Sequence, residues 1–244
     1  MRITDQKVDI EYHKTKEFYD YRAGHYNEEH PYLATMCQDR HPEIAEQRNQ
    51  IEIAQILPLL NLNQQARVLD LGCGVGRWAD AISEDIVYYL GCDFSEQMIK
   101  IAKLRNKKRN FDFYVVSATE AEEYCKKQNI SAFSHIIISG VLMYLNDVDV
   151  ITILQSLSTL ALPGATVYIR EPMGIEARLT LKDFYSEELQ HDYNTIYRTR
   201  EEYRDMLGMY APDFKISAHG AMFEQTALNN RKETAQFYFI LHKE

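Results

Sequence analysis

From residue 42 onward the apolar positions switch between two periods. In PEIAEQRNQIEIAQILPLL, residues 42–60, Ile53, Ile56, Leu57 and Leu60 recur at i, i+3, i+4 and i+7, which predicts an amphipathic helix. ARVLDLG follows as a short apolar run, predicted as a buried strand. Strand-like and helix-like segments then alternate. IVYYLGCDF reads as a strand, SEQMIKIAKLRNKK as a helix with Ser95 as its N-cap, FDFYVVSA as a strand, TEAEEYCKKQ as a helix and FSHIIISG as a strand. NDVDVITILQSLSTLA carries Val150, Ile153, Leu154, Leu157, Leu160 and Ala161 on one stripe, stopped by Pro163-Gly164, and ATVYIREP is the fifth strand. Repeated β-α units of this length imply an α/β fold with a parallel sheet and helices on both faces.

The pattern breaks after Pro172. Residues 174–205 read as a polar, tyrosine-bearing insert running into the helix REEYRDMLGMY. FKISAHGAMF and TAQFYFILHK are predicted as two closing strands joined by LNNRKE, so the sheet is expected to end in an antiparallel hairpin. Residues 1–42, of which 11–42 are rich in Tyr, His and charge, are expected to form N-terminal cap helices. The organisation expected is one domain over 1–244, with that cap and a late insert.

Composition narrows the function classes. A chain of 244 residues can bury a real core, and 45% hydrophobic with 26% charged residues is ordinary for a globular protein. The net charge of −9 argues against a polyanionic partner, and the basic run KIAKLRNKKRN reads as a solvated helix end where positive charge suits the dipole. No nucleic-acid partner is expected. The polar N-terminus does not resemble a signal peptide, and no apolar run approaches membrane-spanning length. Cys37, Cys73, Cys92 and Cys125 form no CxxC pair, so neither zinc nor redox chemistry is indicated, and a reduced cytoplasmic setting is expected. The sequence leaves monomer and homodimer open.

The chemistry concentrates in VLDLGCGVGRW, residues 68–78. A strand ending in Asp70, then Gly72-x-Gly74-x-Gly76, then a helix, suits a nucleotide held at the carboxyl edge of a sheet. The third glycine comes one residue too early for the dinucleotide fingerprint, and the Gly-Lys-Ser/Thr ending of a P-loop is absent. Asp93 closes the next strand seventeen positions past Gly76, where a carboxylate can accept hydrogen bonds from both hydroxyls of a ribose. Cys73 reads as a small packing residue of the loop, since nothing nearby would lower its pKa.

Taken together, VLDLGCGVGRW, YLGCDFSEQMI, VVSATE and IIISGVLMYL, in that order, resemble the motifs of class I, Rossmann-like S-adenosylmethionine-dependent methyltransferases. The likeness covers roughly residues 45–172, and the late antiparallel strands suit that family's seven-stranded sheet. It implies S-adenosyl-L-methionine as cofactor. Gly72, Cys73 and Gly74 would then line its backbone face, and Asp70 would hold the methionine amino group. Arg77 would either meet the methionine carboxylate or be a solvated residue. Asp93 would take the ribose, Phe94 and Met98 the adenine. Ser117, Ala118 and Thr119 would offer the adenine edge its hydrogen bonds, where relatives often carry Asp-Ala. Ser139 would sit near the sulfonium.

The acceptor would lie over the ends of strands four and five. The candidates there are Tyr144, which stands where several relatives have a histidine, and Arg170-Glu171. Glu171 is the first choice as base or acceptor-binding carboxylate; Arg170 suits either an anionic acceptor group or an ion pair. The insert adds His191, Asp192, Tyr193, Tyr197 and Arg198, with His191 either a base or a surface residue. Nine of the 17 tyrosines fall in residues 11–32 and 183–203, which predicts a tyrosine-rich roof over the acceptor or half-buried packing. The expected activity is methyl transfer to oxygen or nitrogen of a small molecule of sugar or secondary-metabolite type. The alternatives are a protein α-amine or side-chain methyltransferase and a non-catalytic cofactor-binding protein.

Overall fold

A computed structural model describes residues 1–223, 227–229 and 231–244. The chain runs β1(Arg2–Thr4), α1(Tyr12–Gly24), α2(Leu33–Met36), α3(Pro42–Leu60), β2(Arg67–Leu71), α4(Arg77–Ala81), β3(Tyr88–Asp93) and α5(Glu96–Arg105). It continues through β4(Phe111–Val115), α6(Ala121–Lys127), β5(Phe133–Ser139), α7(Asp147–Leu160), β6(Ala161–Gly174), β7(Leu179–Ser186), β8(His191–Tyr197), α8(Arg200–Tyr210), β9(Phe214–Ala221) and β10(Thr234–Lys243). A 3-10 turn spans Leu142–Tyr144.

Seven strands form the main sheet in the order β4-β3-β2-β5-β6-β10-β9. The first five strands of that order pair in parallel, whereas β10 runs antiparallel to both β6 and β9. The α/β, Rossmann-like, seven-stranded mostly parallel sheet with its antiparallel C-terminal hairpin is therefore the observed fold. The central strands bury both faces, so alternate residues enter two cores. Leu69, Leu71, Ile136, Ile138, Val167 and Ile169 meet the α7 stripe Val150, Ile153, Leu154 and Leu157. Val68, Ile137 and Tyr168 meet Ile56 and Leu60 of α3 with Trp78 and Tyr89. Chain order reverses at β2, which has β3 on one side and β5 on the other, and that reversal opens a crevice at the carboxyl ends of both.

The late insert, for which the sequence reading assigned no strands, is built on two. β7 and β8 make a hairpin that pairs with β1 as a three-stranded antiparallel sheet, Arg2 opposite Leu181 and Leu181 opposite Thr195. The N-terminal cap is correspondingly a strand plus the helices α1 and α2, which Arg22 ties together by donating to the Ala34 carbonyl and to Asp39. Arg198 anchors the insert beneath. Its guanidinium donates to Asp147 at 2.8 Å and to the carbonyls of Leu142 at 2.9 Å and Leu145 at 2.7 Å. Of the expected turn LNNRKE, Asn230 lies outside the described residues. No helix among the described residues is long and apolar enough to cross a membrane.

Candidate active site

Two cavities join at the carboxyl edge of β2 and β5. One, of about 360 Å³, is lined by Gly74, Asp93, Phe94, Met98, Ser117, Ala118 and Thr119 from below, and by Thr15 and Tyr19 of α1 from above. The other, of about 420 Å³, runs from Asp70, Cys73 and Arg77 past Arg170 to Arg48, under a roof that includes Leu179, Leu181, Tyr193 and Tyr197. Thr35, Gly72, Ser139, Gly140 and Tyr144 line both, which makes them the junction.

The glycine loop is held open by backbone geometry. Gly72 and Gly74 have φ of +73° and +52°, values that L side chains avoid. A Cβ at Gly74 would sit 2.5 Å from Thr35 Cγ2, and one at Gly72 would collide with Val141. Two buried carboxylates flank this bare backbone. Asp93 accepts from the amides of Gly74 at 3.0 Å and Ser95 at 2.9 Å, yet burial pushes its carboxyl up to about 6. Burial likewise raises Asp70 to about 7, although the Tyr89 hydroxyl donates to it at 2.5 Å and Arg77 is nearby. Carboxylates held up by burial are sites short of positive charge and donors. An ammonium against Asp70 and ribose hydroxyls against Asp93 would supply what each lacks, so this chain's residues fit S-adenosylmethionine.

Beneath the junction lies a residue that the pattern of apolar positions conceals. Glu52 of α3 is fully buried, and its carboxylate accepts from the Tyr168 hydroxyl at 2.8 Å and the Ser139 hydroxyl at 2.9 Å. It also pairs with Arg77 and Arg170, each at 3.1 Å. Burial alone would raise this carboxyl, but the two arginines outweigh it and hold it at about 2. Arg77 further donates to Asn49 at 3.0 Å and to Ser139 at 2.9 Å, so it is a buried, fixed cation and not a solvated one. On α3 the polar residues Arg48, Asn49 and Glu52 continue the buried stripe of Ile56 and Leu60 at helical spacing. That is the sequence signal for Glu52: charge where the stripe requires burial.

Of the acceptor-side candidates, Tyr144 alone stands at the junction. Its hydroxyl lies 2.7 Å from that of Tyr193, and its ring packs edge-on to Tyr19 with centroids 5.2 Å apart. Burial, with Tyr19 and Tyr193 beside it, pushes this phenol well above its ordinary value. Glu171 requires a correction. Neighbouring strand residues face opposite sides of a sheet, so Arg170 points into the acceptor cavity and Glu171 points away from it. Both Glu171 oxygens are engaged by backbone amides, Val141 and Leu142 at 2.9 Å and Met143 at 3.1 Å, which makes it the anchor of the 3-10 turn. His191 also lies outside both cavities; it caps the cap, its ring against Phe18 and Tyr21. Cys73 lines the acceptor cavity as a buried thiol that burial raises well above its ordinary value, which leaves it unreactive. Among the described residues no group of three or more His, Cys, Asp or Glu is arranged to hold a metal ion.

The family model for a methyltransferase domain matches residues 69–167, which span the glycine loop, Asp93, the Ser117–Thr119 segment and Tyr144. Over those residues the chain is similar to methyltransferase domains. A phosphoethanolamine N-methyltransferase 1 of Triticum aestivum is 27% identical over 123 residues, 49% of this chain and 24% of that protein. Among solved structures, phosphoethanolamine N-methyltransferase 1 of Haemonchus contortus, in complex with phosphoethanolamine and S-adenosylhomocysteine, superposes with a TM-score of 0.71. It shares 19% identity and covers 93% of this chain and 48% of its own. Magnesium protoporphyrin IX methyltransferase of Synechocystis with bound S-adenosylhomocysteine gives 0.62 at 15% identity, over 96% of both chains. The chain thus spans about a quarter of the wheat relative and about half of the nematode one. The superpositions cover nearly the whole chain, and at these identities they show a shared fold.

Proposed function

We propose that this protein transfers a methyl group from S-adenosyl-L-methionine to an oxygen or nitrogen of a small molecule. The observation that carries this reading is the meeting of two cavities at Thr35, Gly72, Ser139, Gly140 and Tyr144. One cavity has the glycine backbone and buried carboxylate suited to adenosine. The other continues from Asp70 and Arg77, suited to a methionine ammonium and carboxylate, into a space large enough for a second compound.

Bound there, the cofactor supplies an electrophilic methyl on a sulfonium. The chain's own contribution is position. Asp93 and the side-chain-free backbone of the glycines position the sugar end, and Arg77, immobilised by Glu52 and Asn49, positions the other. The acceptor atom is then constrained to the junction, where proximity and alignment supply much of the rate gain expected for such a transfer. Tyr144 can donate to, or accept from, an acceptor heteroatom there and pass a proton towards Tyr193. Its raised pKa means that it is a phenol at neutral pH and acts as an orienting or relaying group, not as a standing base.

A small acceptor is favoured by the roof. β7 and β8, held down by the Arg198 anchor, and α1 and α2 contribute lining residues to the two cavities that meet at the junction, a roof suited to a small compound. Isothermal titration with S-adenosylmethionine and S-adenosylhomocysteine tests the cofactor half; heat from neither would end the reading. Incubation with labelled cofactor and fractionated cell metabolites tests the acceptor half, the expected result being label in a low-mass product and none in protein.

A further inference from the structure

Methyl transfer to a hydroxyl or an ammonium group releases a proton, and the residues of the junction hold no base to take it. Of the five residues that line both cavities, Tyr144 alone carries an acidic group, and it stays a phenol at neutral pH. Glu171 faces away, and His191 lies outside both cavities. Cys37 and Cys73 line the acceptor cavity as thiols that burial raises. Glu233 in that cavity is taken by Arg2, and Asp149 in the cofactor cavity by the Tyr12 hydroxyl. His13 lines the cofactor cavity from an exposed position on α1, beside Glu11. Asp70 and Asp93 are the carboxylates suited to the cofactor itself.

What the junction does offer is a fixed donor. Arg170 of β6 is the register partner of Ser139, and the Gly140 amide donates to its carbonyl at 2.7 Å. Its Nη1 lies 3.5 Å from where a Cβ on Gly140 would stand, so the guanidinium borders the junction itself. Nε and Nη2 donate to Glu52 at 3.3 and 3.1 Å, and Nη1 donates to Gln236 at 2.9 Å. Those bonds set the plane of the guanidinium and use three of its five N–H groups. Among the described residues, the second proton on Nη1 and the second on Nη2 meet no acceptor. A guanidinium donates and never accepts, so these two N–H groups suit a partner that brings negative charge.

We propose that the methyl acceptor is the carboxylate of a small organic acid, held at the junction by the two uncommitted N–H groups of Arg170, and that the product is its methyl ester. The inference deepens the methyl-transfer reading and rests on it. A carboxylate is ionised at neutral pH and presents a lone pair without help from a base. One of its oxygens bonds to the methyl carbon as the C–S bond breaks, and the electron pair of that bond goes to sulfur. The carboxylate and the sulfonium lose their charges together, so no proton is released or taken up. The Tyr144 phenol lines the same junction and is suited to donating to the second oxygen. Leu179, Leu181 and Phe184 line the same cavity, of about 420 Å³, and suit the hydrocarbon part of such an acid. Esterification discharges the group that Arg170 holds, which favours release of the product. An amine, protonated at neutral pH, meets the opposite conditions: a like charge beside it and no base to remove its proton.

The test has two arms. In the first, the full chain is incubated with methyl-tritiated S-adenosylmethionine and low-mass cell metabolites, and the product is treated with alkali. A methyl ester is hydrolysed to volatile tritiated methanol, whereas methyl ethers and N-methyl groups survive. Volatile label is expected; label that withstands alkali overturns the inference. The second arm needs no turnover and decides alone where no labelled product forms. The chain saturated with S-adenosylhomocysteine is titrated by calorimetry with butyrate and, separately, with butylammonium, ions of similar size and opposite charge. Saturable butyrate binding without butylammonium binding is expected. R170K should weaken butyrate by about tenfold, because lysine keeps the charge that Glu52 needs but loses the planar fork. Its binding of S-adenosylhomocysteine shows that it folds; if it does not fold, the two ions on the wild-type chain decide. Failure of butyrate to bind, equal binding of butylammonium, or undiminished butyrate affinity in R170K overturns this inference and leaves the cofactor reading standing. Failure of S-adenosylhomocysteine itself to bind overturns that reading, and this inference falls with it.

Discussion

Glu52 on α3 and Arg170 on β6 form a buried ion pair, Oε2 to Nη2 at 3.1 Å, that fastens the helix before the first core strand to the strand at the acceptor end. The same carboxylate holds Arg77 at 3.1 Å, so one buried anion positions both the cation next to the glycine loop and Arg170 of β6. Removing it leaves two buried guanidinium groups without their partner. We expect E52Q to lose about 3–5 kcal/mol of unfolding free energy, measured by urea denaturation at pH 7. A loss below about 1 kcal/mol would mean that water replaces the carboxylate and that the pairing is incidental.

The pH dependence of the same group follows from its sign. Its folded value of about 2 is below the ordinary 4.5, so its contribution is present above about 4.5 and is lost as pH falls towards 2. Wild-type stability should therefore fall over that acid window, and the fall should be smaller in E52Q. Urea midpoints at pH 5 and pH 3 for both proteins check this; equal slopes would contradict it.

Asp70 behaves in the opposite way. Its folded value of about 7 lies above its ordinary range, so its ionised form is disfavoured in the unliganded protein, and its contribution to stability is lost as pH rises through 7. A bound ammonium favours that ionised form. Affinity for S-adenosylhomocysteine should accordingly fall by about tenfold between pH 8 and pH 6, and D70N should flatten the profile. Asp93, at about 6, would steepen the decline at the acid end. Titrations in buffers of matched ionic strength decide it: a flat wild-type profile would remove Asp70 from the cofactor's ammonium.

The glycine loop offers a test with a built-in rescue. G74A introduces a Cβ 2.5 Å from Thr35 Cγ2 at a φ of +52°. The left-handed backbone alone costs roughly 1–2 kcal/mol, and Thr35 must move out of the junction besides. We expect G74A to weaken S-adenosylhomocysteine binding by at least tenfold, equivalent to about 1.4 kcal/mol. T35S, which removes only the methyl group in the way, should recover part of that loss in the double variant. Identical affinities for G74A with and without T35S would show that backbone strain is the whole effect.

What could be read from the chain alone was whatever has a local period. The central strands are buried on both faces and therefore read as apolar runs, the α7 stripe repeats at helical spacing, and Asp93 ends a strand at a fixed distance from the glycines. The small sheet had no such signature. Its strand β1 pairs with β7 across nearly the whole length of the chain, Arg2 with Leu181, and the alternation of β7 is broken by an irregularity between Leu181 and Phe184. The facing of Arg170 and Glu171 was equally hidden. Val167 and Ile169 on one side and Tyr168 on the other are all buried, so hydrophobicity gave no parity, and the carboxylate chosen as base proved to be the one that anchors the turn. Glu52 was obscured by charge itself, being an acid on a helix that looked amphipathic.

That exchange of roles separates two substitutions that the sequence treats alike. E171Q keeps an oxygen for one or two of the amides at Val141, Leu142 and Met143 but turns an NH2 towards the rest. It should lower the urea midpoint, with turnover per folded molecule little changed, because Glu171 touches neither cavity. Y144F removes one hydroxyl from the junction, breaks its 2.7 Å hydrogen bond to Tyr193 and leaves the ring edge-on to Tyr19. A neutral hydrogen bond of this kind contributes about 1 kcal/mol, so stability should change little. If the hydroxyl orients the acceptor or relays its proton, kcat should fall by about 10²-fold with the KM for S-adenosylmethionine unaltered. H191A, whose ring packs on the outside of α1, is the control and should leave kcat where it was. Were Y144F to match H191A in kcat while E171Q lost activity per folded molecule, the junction would have to be rebuilt around the turn at 142–144, and the tyrosine pair would be structural only.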